Sequence, residues 1–161
     1  MPVVFLDVDG VLNRVGYCPE RSEGLRDWIE PDLAQQLDRA VRDIDGQLVL
    51  SSDWRRGREL EVLREELRAA GIEAPLIDVT PVLETARWQE IIAWCDARHC
   101  SLGQIAVIDD RMDMGPLAQR FVRTSPLCGF DAAAAAALRA LFGEGPDASC
   151  VPGVPGVPGA R

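Results

Sequence analysis

The chain is organised around the N-terminal run Val3-Val4-Phe5-Leu6-Asp7-Val8-Asp9-Gly10-Val11-Leu12-Asn13, which is apolar at first and then acidic. Its first four residues are apolar and largely β-branched, a pattern that predicts a buried strand. Asp7 and Asp9 follow where this strand would end, and Gly10 closes the segment. Because parallel strands of α/β proteins open onto the ligand-binding crevice at their carboxyl ends, both carboxylates are predicted to lie at the mouth of a site.

Two carboxylates this close repel each other unless a proton or a cation lies between them. Oxygen ligands suit a hard divalent ion, so the sequence predicts Mg²⁺ as the cofactor. Asp-Gly after a strand is also an ordinary turn signal, and a simple turn is therefore the competing interpretation.

Composition and charge limit the class of protein. The chain has 161 residues, of which 47% are hydrophobic and 27% charged, as is typical of one globular domain. No apolar run has the length of a membrane span and no signal-peptide core precedes the first strand, so we expect a cytoplasmic protein with no membrane partner. Five cysteines without a C-x-x-C pair argue against a disulfide framework and a zinc ribbon. The net charge of -9 disfavours nonspecific attraction to nucleic acid but leaves room for a local basic groove.

Beyond the N-terminal run, predicted strands alternate with predicted helices. After a loop or flap over residues 14–30, the further strands are expected at residues 47–50, 76–79, 105–108 and 121–123. Helices are expected from Pro31 to near Gly46, from near Leu60 to Gly71, over about 84–98, in a short turn near 117–119, and after a cap at Asp131. This alternation predicts an α/β fold with a doubly wound, mainly parallel, five-stranded Rossmann-like sheet.

Two of these helices have specific core predictions. The third is expected to bury Trp88, Ile91, Ile92 and Cys95, and the alanine-rich last helix to be anchored by Leu138 and Leu141. The Val-Pro-Gly repeats that begin at Val151 have no large side chain to bury. The sequence therefore predicts a folded domain over residues 1–142 and a flexible Pro/Gly-rich tail over residues 143–161.

Polar groups end three of the predicted strands. The first ends in the Asp7 pair, the second in Ser51-Ser52 and the fourth in Asp109-Asp110. A simple turn explains one such site but not three in this order. Three strand ends of this kind favour one shared site for an anionic substrate and a cation.

The residue types suit phosphoryl transfer. Asp7 would be an oxygen nucleophile that forms an aspartyl-phosphate, and Asp9 would protonate the leaving oxygen and later activate water. Ser51 or Ser52 would donate a hydrogen bond to a phosphoryl oxygen, and a cationic side chain would complete the cradle. Asp109 would hold the ion opposite Asp7, with Asp110 as a further ligand or orienting group.

These motifs resemble those of the haloacid dehalogenase superfamily of aspartate-nucleophile phosphatases. The first motif is similar to Asp7–Val11, the second to Ser51/Ser52 and the fourth to residues 108–110, and the likeness covers residues 3 to about 142. It implies a Mg²⁺-dependent phosphomonoester hydrolase in which the backbone carbonyl of Asp9 also binds the metal. The third motif is usually lysine, and Arg87 is similar to the arginine that some capless members use instead. A surface helix arginine is the competing interpretation of Arg87.

Which serine serves the second motif stays open. The spacing from the strand favours Ser51, whereas relatives with Ser-x-Trp or Thr-x-Trp favour Ser52.

A narrower resemblance concerns the substrate. Residues 108–111 and the short inserts look like the phosphatase half of polynucleotide kinase-phosphatases and the capless domain of RNA-repair proteins. The inserts leave no room for a cap domain, and an uncapped crevice admits bulky phosphoesters such as a nucleic-acid terminus, a nucleotide or a phosphoprotein. Arg14 and Arg55 are predicted to contact the substrate phosphate, although a solvated charge at the start of a helix explains Arg55 equally well.

Two other functions compete with the phosphatase. One is a phosphoacceptor signalling domain, which shares acidic clusters and a doubly wound sheet. The other is a catalytically idle member that serves as a binding module. The sequence makes no prediction of oligomeric state.

Overall fold

The computed structural model describes residues 1–143. Its sheet has five strands in the order β3-β2-β1-β4-β5, and every neighbouring pair is parallel. The strands are β1 Val3–Leu6, β2 Gln47–Leu50, β3 Leu76–Val79, β4 Ile105–Asp109 and β5 Phe121–Arg123. The predicted α/β class and parallel five-stranded sheet are confirmed, and β4 extends one residue further than expected.

The central strand shows why this sheet needs helices on both faces. Along β1, Val4 and Leu6 point into one hydrophobic cluster, whereas Val3 and Phe5 point into another. Alternate residues of a strand face opposite sides of the sheet, so a strand that is apolar throughout is buried on both. This pattern produces the doubly wound arrangement.

Four α-helices cover the sheet. They are α1 Pro31–Asp43, α2 Leu60–Ala69, α3 Arg87–Ala97 and α4 Ala132–Leu141. The first, second and fourth pack against the face of Leu6, and the third packs against the face of Phe5. Proline begins α1 at a position where its missing N–H costs nothing, and the Asp131 carboxylate caps α4 by accepting from Ala134 N at 2.9 Å.

The third helix differs from its prediction in start and in buried face. It begins at Arg87 rather than at residue 84, because Glu84 adopts a left-handed conformation with φ of 58° that a helix cannot contain. Ile91 and Cys95 are buried as expected, and Leu138 is buried in α4. Trp88 and Ile92 are only half-buried, while Trp94, which the pattern did not select, packs edge-on against Phe5 at 5.3 Å between ring centroids.

The inserts that could have carried a cap are short. Residues 14–30 contain one 3-10 helix, Leu25–Trp28, and the segment between β2 and β3 contains a short 3-10 helix, Asp53–Arg55, and α2. Within residues 1–143 neither insert forms a separate domain. The predicted tail lies outside the described residues except for Gly143.

None of the helices in residues 1–143 has both the length and the apolar content that crossing a membrane requires.

Candidate active site

The site lies along the carboxyl edge of the three central strands. Leu6 is in register with Leu50 on one side and with Ile108 on the other, so the residues that follow them, Asp7, Ser51 and Asp109, stand in one row. Backbone hydrogen bonds continue past the paired residues, with Asp7 N donating to Ile108 O at 3.0 Å and Ser51 N to Leu6 O at 2.9 Å. The parallel ladder therefore brings together groups that are far apart in the chain.

Three carboxylates form a compact cluster in this row. Asp7, Asp109 and Asp110 each place one oxygen within 4.8 Å of the others. Asp7 and Asp109 are buried and Asp110 is half-buried. Several carboxylate oxygens converging on one point are the ligands of a hard divalent cation, so the donor set fits Mg²⁺. The side chain of Asp9 is exposed and lies outside this cluster; the resemblance assigned only its backbone carbonyl to the metal.

Glycine is required beside Asp110. Gly10 has φ of 81°, which disfavours a side chain, and a Cβ built there would lie 2.2 Å from Asp110 Oδ2. Thr124 Oγ1 donates to the Gly10 carbonyl at 2.8 Å and holds the turn. The turn signal and the metal-site signal at Asp9-Gly10 are thus compatible, because the tight turn makes room for the third carboxylate.

Arg87 joins two of the carboxylates. Its Nη1 donates to Asp109 Oδ2 at 2.8 Å and lies 3.3 Å from Asp7 Oδ1. The side chain is 3% exposed, so the interpretation of Arg87 as a surface arginine is wrong. A guanidinium held here offsets part of the negative charge and can also face a phosphoryl group on Asp7.

The buried carboxylates are shifted toward their protonated forms. The pKa of Asp109 is raised to about 7, first by burial and then by the neighbouring Asp7, and Arg87 opposes both effects. Burial likewise raises the pKa of Asp7 above its ordinary value, and Arg87 again opposes the shift. Burial therefore disfavours the charged forms of both carboxylates more than Arg87 favours them, and a bound cation would favour the ionised forms.

Asp9 has its own set of contacts at the mouth of the site. Its Oδ1 accepts from Asn13 Nδ2 at 2.9 Å and from the Trp54 indole N–H at 3.4 Å. Asn13 also accepts from Gly10 N at 3.1 Å, so one amide orients both the carboxylate and the turn. An exposed carboxylate with a fixed orientation is suited to proton exchange with a leaving group or with water.

The two candidate serines have different surroundings. Ser51 is fully buried, and its hydroxyl has no hydrogen-bond partner among the described residues. Ser52 Oγ accepts from Trp54 N at 3.2 Å and caps the short 3-10 helix. Buried hydroxyls normally have a hydrogen-bond partner, so the unpaired Ser51 hydroxyl is available to a ligand, whereas the Ser52 hydroxyl already accepts a hydrogen bond as a cap. The geometry therefore favours Ser51 for the second motif.

Arg55 does not have the predicted position facing a substrate phosphate, and the Arg14 guanidinium is paired within the protein. Arg55 is buried, and all three guanidinium nitrogens donate to protein acceptors, so it has a structural position rather than one facing a substrate phosphate. Arg14 lies at the mouth of the site, but its guanidinium pairs with Glu30 at 2.8 Å and Asp32 at 2.7 Å. Its charge is largely balanced within the protein, because two carboxylates face it.

A crevice of about 320 Å³ opens beside the carboxylates. Asp9, Asp110, Arg14, Tyr17 and Trp28 are among the residues that line it. The crevice therefore has both polar and aromatic surface.

A model of a known family covers most of the chain. It is described as the HAD domain in Swiss Army Knife RNA repair proteins, and it matches residues 3–135. The chain belongs to this family. No curated protein and no solved structure matches the chain.

Membership of this HAD family accounts for the arrangement of the strand-end groups. The match begins at the first residue of β1 and ends within α4, so it includes every strand and every residue of the carboxylate cluster. The expected capless HAD-type domain is confirmed.

Sequence reasoning missed three residues of the HAD site. Asn13 lies inside the first motif, Thr124 follows β5 and Glu90 lies one turn after Arg87 on α3. Thr124 could have been found, since it is a polar residue at a strand end like the others. Asn13 and Glu90 carried no comparable signal, because a polar residue in a turn or on a helix is usually solvated.

Proposed function

We propose that this HAD domain is a Mg²⁺-dependent phosphomonoester hydrolase that acts through an aspartyl-phosphate on Asp7. The observation that carries the proposal is the position of Asp7, a buried carboxylate that shares a cluster with Asp109 and Asp110 and contacts Arg87. Phosphoryl transfer depends on alignment and on neutralisation of charge on the transferred oxygens. Asp7 would supply the aligned nucleophile, and Arg87 together with a cation bound by the cluster would supply the positive charge.

The first step would be attack by an Asp7 oxygen on phosphorus as the bond to the leaving oxygen breaks. Asp9 would give its proton to that leaving oxygen. In the second step water attacks the aspartyl-phosphate, Asp9 takes the proton from that water, and inorganic phosphate leaves with Asp7 restored. Ser51 and Arg87 would donate hydrogen bonds to the phosphoryl oxygens throughout.

Asp7, Asp109, Asp110 and the Asp9 carbonyl would hold the divalent ion, and Arg87 also contacts Asp109 and Asp7. When bound, the ion supplies positive charge that offsets the phosphoryl oxygens and the clustered carboxylates. The acidic cluster then serves the reaction instead of opposing an anionic substrate.

The proposed substrate is a nucleic-acid terminus or a nucleotide. The family description refers to RNA repair proteins, and a phosphate that ends an RNA or a nucleotide is the group such a domain would hydrolyse. The crevice beside Asp9 supports a substrate with a flat group attached to the phosphate, because Tyr17 and Trp28 line it. Arg111, which is exposed and follows the carboxylate cluster, offers a charge to a neighbouring phosphate.

The strand order supports the hydrolase over a signalling receiver. A receiver-type doubly wound sheet has the order 2-1-3-4-5, whereas this sheet has 3-2-1-4-5. Asp7 consequently ends the central strand with Ser51 and Asp109 on either side. This arrangement favours turnover of a phosphoenzyme rather than its storage.

The test is hydrolysis of p-nitrophenyl phosphate and of a substrate panel. The panel would contain 3′- and 5′-phosphorylated oligonucleotides, mononucleotides, sugar phosphates and phosphopeptides. We expect activity that EDTA abolishes, that Mg²⁺ restores and that Asp7→Asn removes, with the highest kcat/KM on a nucleic-acid end or nucleotide. Asp38→Asn is the matched control, because Asp38 is also buried but accepts from Glu73 N and Ala74 N, away from the cluster. Activity that survives Asp7→Asn would exclude the covalent mechanism.

A further inference from the structure

A buried arginine–glutamate pair connects three segments next to the carboxylate cluster. Arg55 is 1% exposed at its side chain and Glu90 is 5% exposed, with 2.8 Å between Arg55 Nη2 and Glu90 Oε1. The other hydrogen bonds of the guanidinium go to the carbonyl oxygens of Thr80 at 2.9 Å, Ser52 at 2.9 Å, Pro81 at 3.0 Å and Ser51 at 3.3 Å. One side chain therefore holds the end of β2, the end of β3 and helix α3.

Glu90 fixes the beginning of α3 from the other side. Its Oε2 accepts from Leu83 N at 2.7 Å, so the two carboxylate oxygens bind two different segments. Arg87 is the first residue of α3 and precedes Glu90 by one turn. A displacement of Glu90 would move Arg87 with it, since both belong to the same rigid turn of helix.

The buried charges of this pair need each other. Burial lowers the pKa of Arg55, and Glu90 opposes that shift. A buried ion pair often stabilises a protein no more than apolar residues of the same size would. When all its hydrogen bonds are satisfied, however, it fixes the relative positions of the segments that it joins. Two of the segments that Arg55 and Glu90 hold carry groups of the site: the end of β2 carries Ser51, and the first turn of α3 carries Arg87.

We propose that Arg55 and Glu90 are positioning residues that set Ser51 and Arg87 at the correct distance from Asp7. The proposal rests on the phosphatase function. Arg55 binds the carbonyl of Ser51, whose buried hydroxyl is unpaired among the described residues, and Glu90 holds the turn of α3 that carries Arg87. A misplacement of about 1 Å at a reacting centre costs on the order of 100-fold in rate. The pair thereby acts on the reaction without touching the substrate.

The chain offers a matched control in Arg120. Its Nε donates to Ile105 O at 2.8 Å, Nη2 to Gly103 O at 3.2 Å and Nη1 to Leu141 O at 3.3 Å. Ile105 is the first residue of β4, so this arginine binds carbonyl oxygens at the opposite edge of the sheet. Replacement of Arg120 therefore measures how far kcat and the thermal midpoint fall when a guanidinium that binds backbone carbonyls is lost away from the site.

The experiment compares Arg55→Lys, Glu90→Gln, the double variant and Arg120→Lys. We would measure kcat and KM for p-nitrophenyl phosphate with Mg²⁺, the thermal midpoint, and the ¹⁵N NMR signal of the Arg87 side chain, assigned by its loss in Arg87→Lys. We expect kcat to fall about 100-fold in Arg55→Lys and Glu90→Gln, and the double variant to lose little more than either one. The Arg87 signal should shift in all three, while Arg120→Lys should keep kcat within about twofold and leave that signal in place.

Two results would overturn the positioning role. The first is that folded Arg55→Lys and Glu90→Gln keep the wild-type kcat and an unshifted Arg87 signal. The second is that kcat falls in proportion to the drop in thermal midpoint, and does so in Arg120→Lys as much as in Arg55→Lys and Glu90→Gln. Failure of the wild-type protein to hydrolyse any phosphoester contradicts the proposed function instead. In that case the Arg87 signal still decides whether the pair sets its position.

Discussion

Gly10 and Asp110 occupy neighbouring space, so a methyl group at residue 10 should disturb the carboxylate cluster directly. We predict that Gly10→Ala loses more than about 2 kcal/mol of unfolding free energy, from the left-handed backbone and from the clash with Asp110. Gly57→Ala is the control, because Gly57 also has a positive φ, of 69°, but a Cβ there meets nothing within 4 Å. That variant should lose about 1 kcal/mol.

Urea unfolding and calorimetric titration with Mg²⁺ would separate the two glycines. Gly10→Ala should weaken Mg²⁺ binding, and Gly57→Ala should not. Equal losses of stability with unchanged Mg²⁺ affinity in both variants would mean that the close approach of Asp110 is unimportant.

The two serines make the second residue-level prediction. Ser51→Ala removes a buried hydroxyl with no protein partner among the described residues, so we expect little loss of stability and a 10- to 100-fold loss of kcat/KM, that is, about 1.4–2.8 kcal/mol. Ser52→Ala removes a cap and should cost about 1 kcal/mol of stability with a smaller effect on kcat/KM. Steady-state kinetics together with urea unfolding would check both, and the reverse order of effects on kcat/KM would assign the second motif to Ser52.

At the scale of elements, the strands were the most predictable part of the fold. The second, third and fifth strands have the expected bounds, since short apolar runs between turn signals allow few alternatives. The start of α3 was wrong because helical spacing continues through Glu84, and only the backbone shows that this residue is left-handed. Trp94 was missed because α3 buries the face of Arg87, Glu90, Ile91, Trp94 and Cys95, whereas the predicted face ran through Trp88 and Ile92.

The site was predictable where it depends on strand ends and less so where it depends on long side chains. Asp7, Ser51 and Asp109 follow paired strand residues, so the register places them. Arg55 and Arg14 were assigned to substrate from their charge and their place near the motifs, although each is paired within the protein. An arginine can reach acceptors in several directions, and the sequence does not show which acceptor it reaches.

The cap of α4 gives a prediction for one element. Asp131→Ala should lower the unfolding free energy by about 1 kcal/mol, because the Ala134 N–H loses its acceptor at the start of the helix. Asp131→Asn retains a capping oxygen and should lose much less. Denaturant unfolding would measure both, and activity should change in neither, since α4 contributes no group to the cluster. Equal stability of the alanine and asparagine variants would refute a capping role.

At the scale of the whole molecule, the predicted domain boundary can be tested by truncation. The buried hydrophobic residues of the described part end at Leu138, and the family match ends at residue 135. We predict that a chain ending at residue 143 keeps the thermal midpoint within a few degrees and keeps kcat/KM on p-nitrophenyl phosphate. Loss of folding in the shortened chain would show that the Pro/Gly-rich segment belongs to the domain.

The central claim is that Asp7 becomes phosphorylated during turnover, and acid quenching tests it most directly. Protein mixed with substrate and Mg²⁺ is quenched in acid, digested and analysed by mass spectrometry. We predict a phosphoryl group on the peptide that contains Asp7, labile to hydroxylamine and absent from Asp7→Asn. Rapid hydrolysis of substrate with no phosphoryl group trapped on Asp7, and with activity retained in Asp7→Asn, would contradict it.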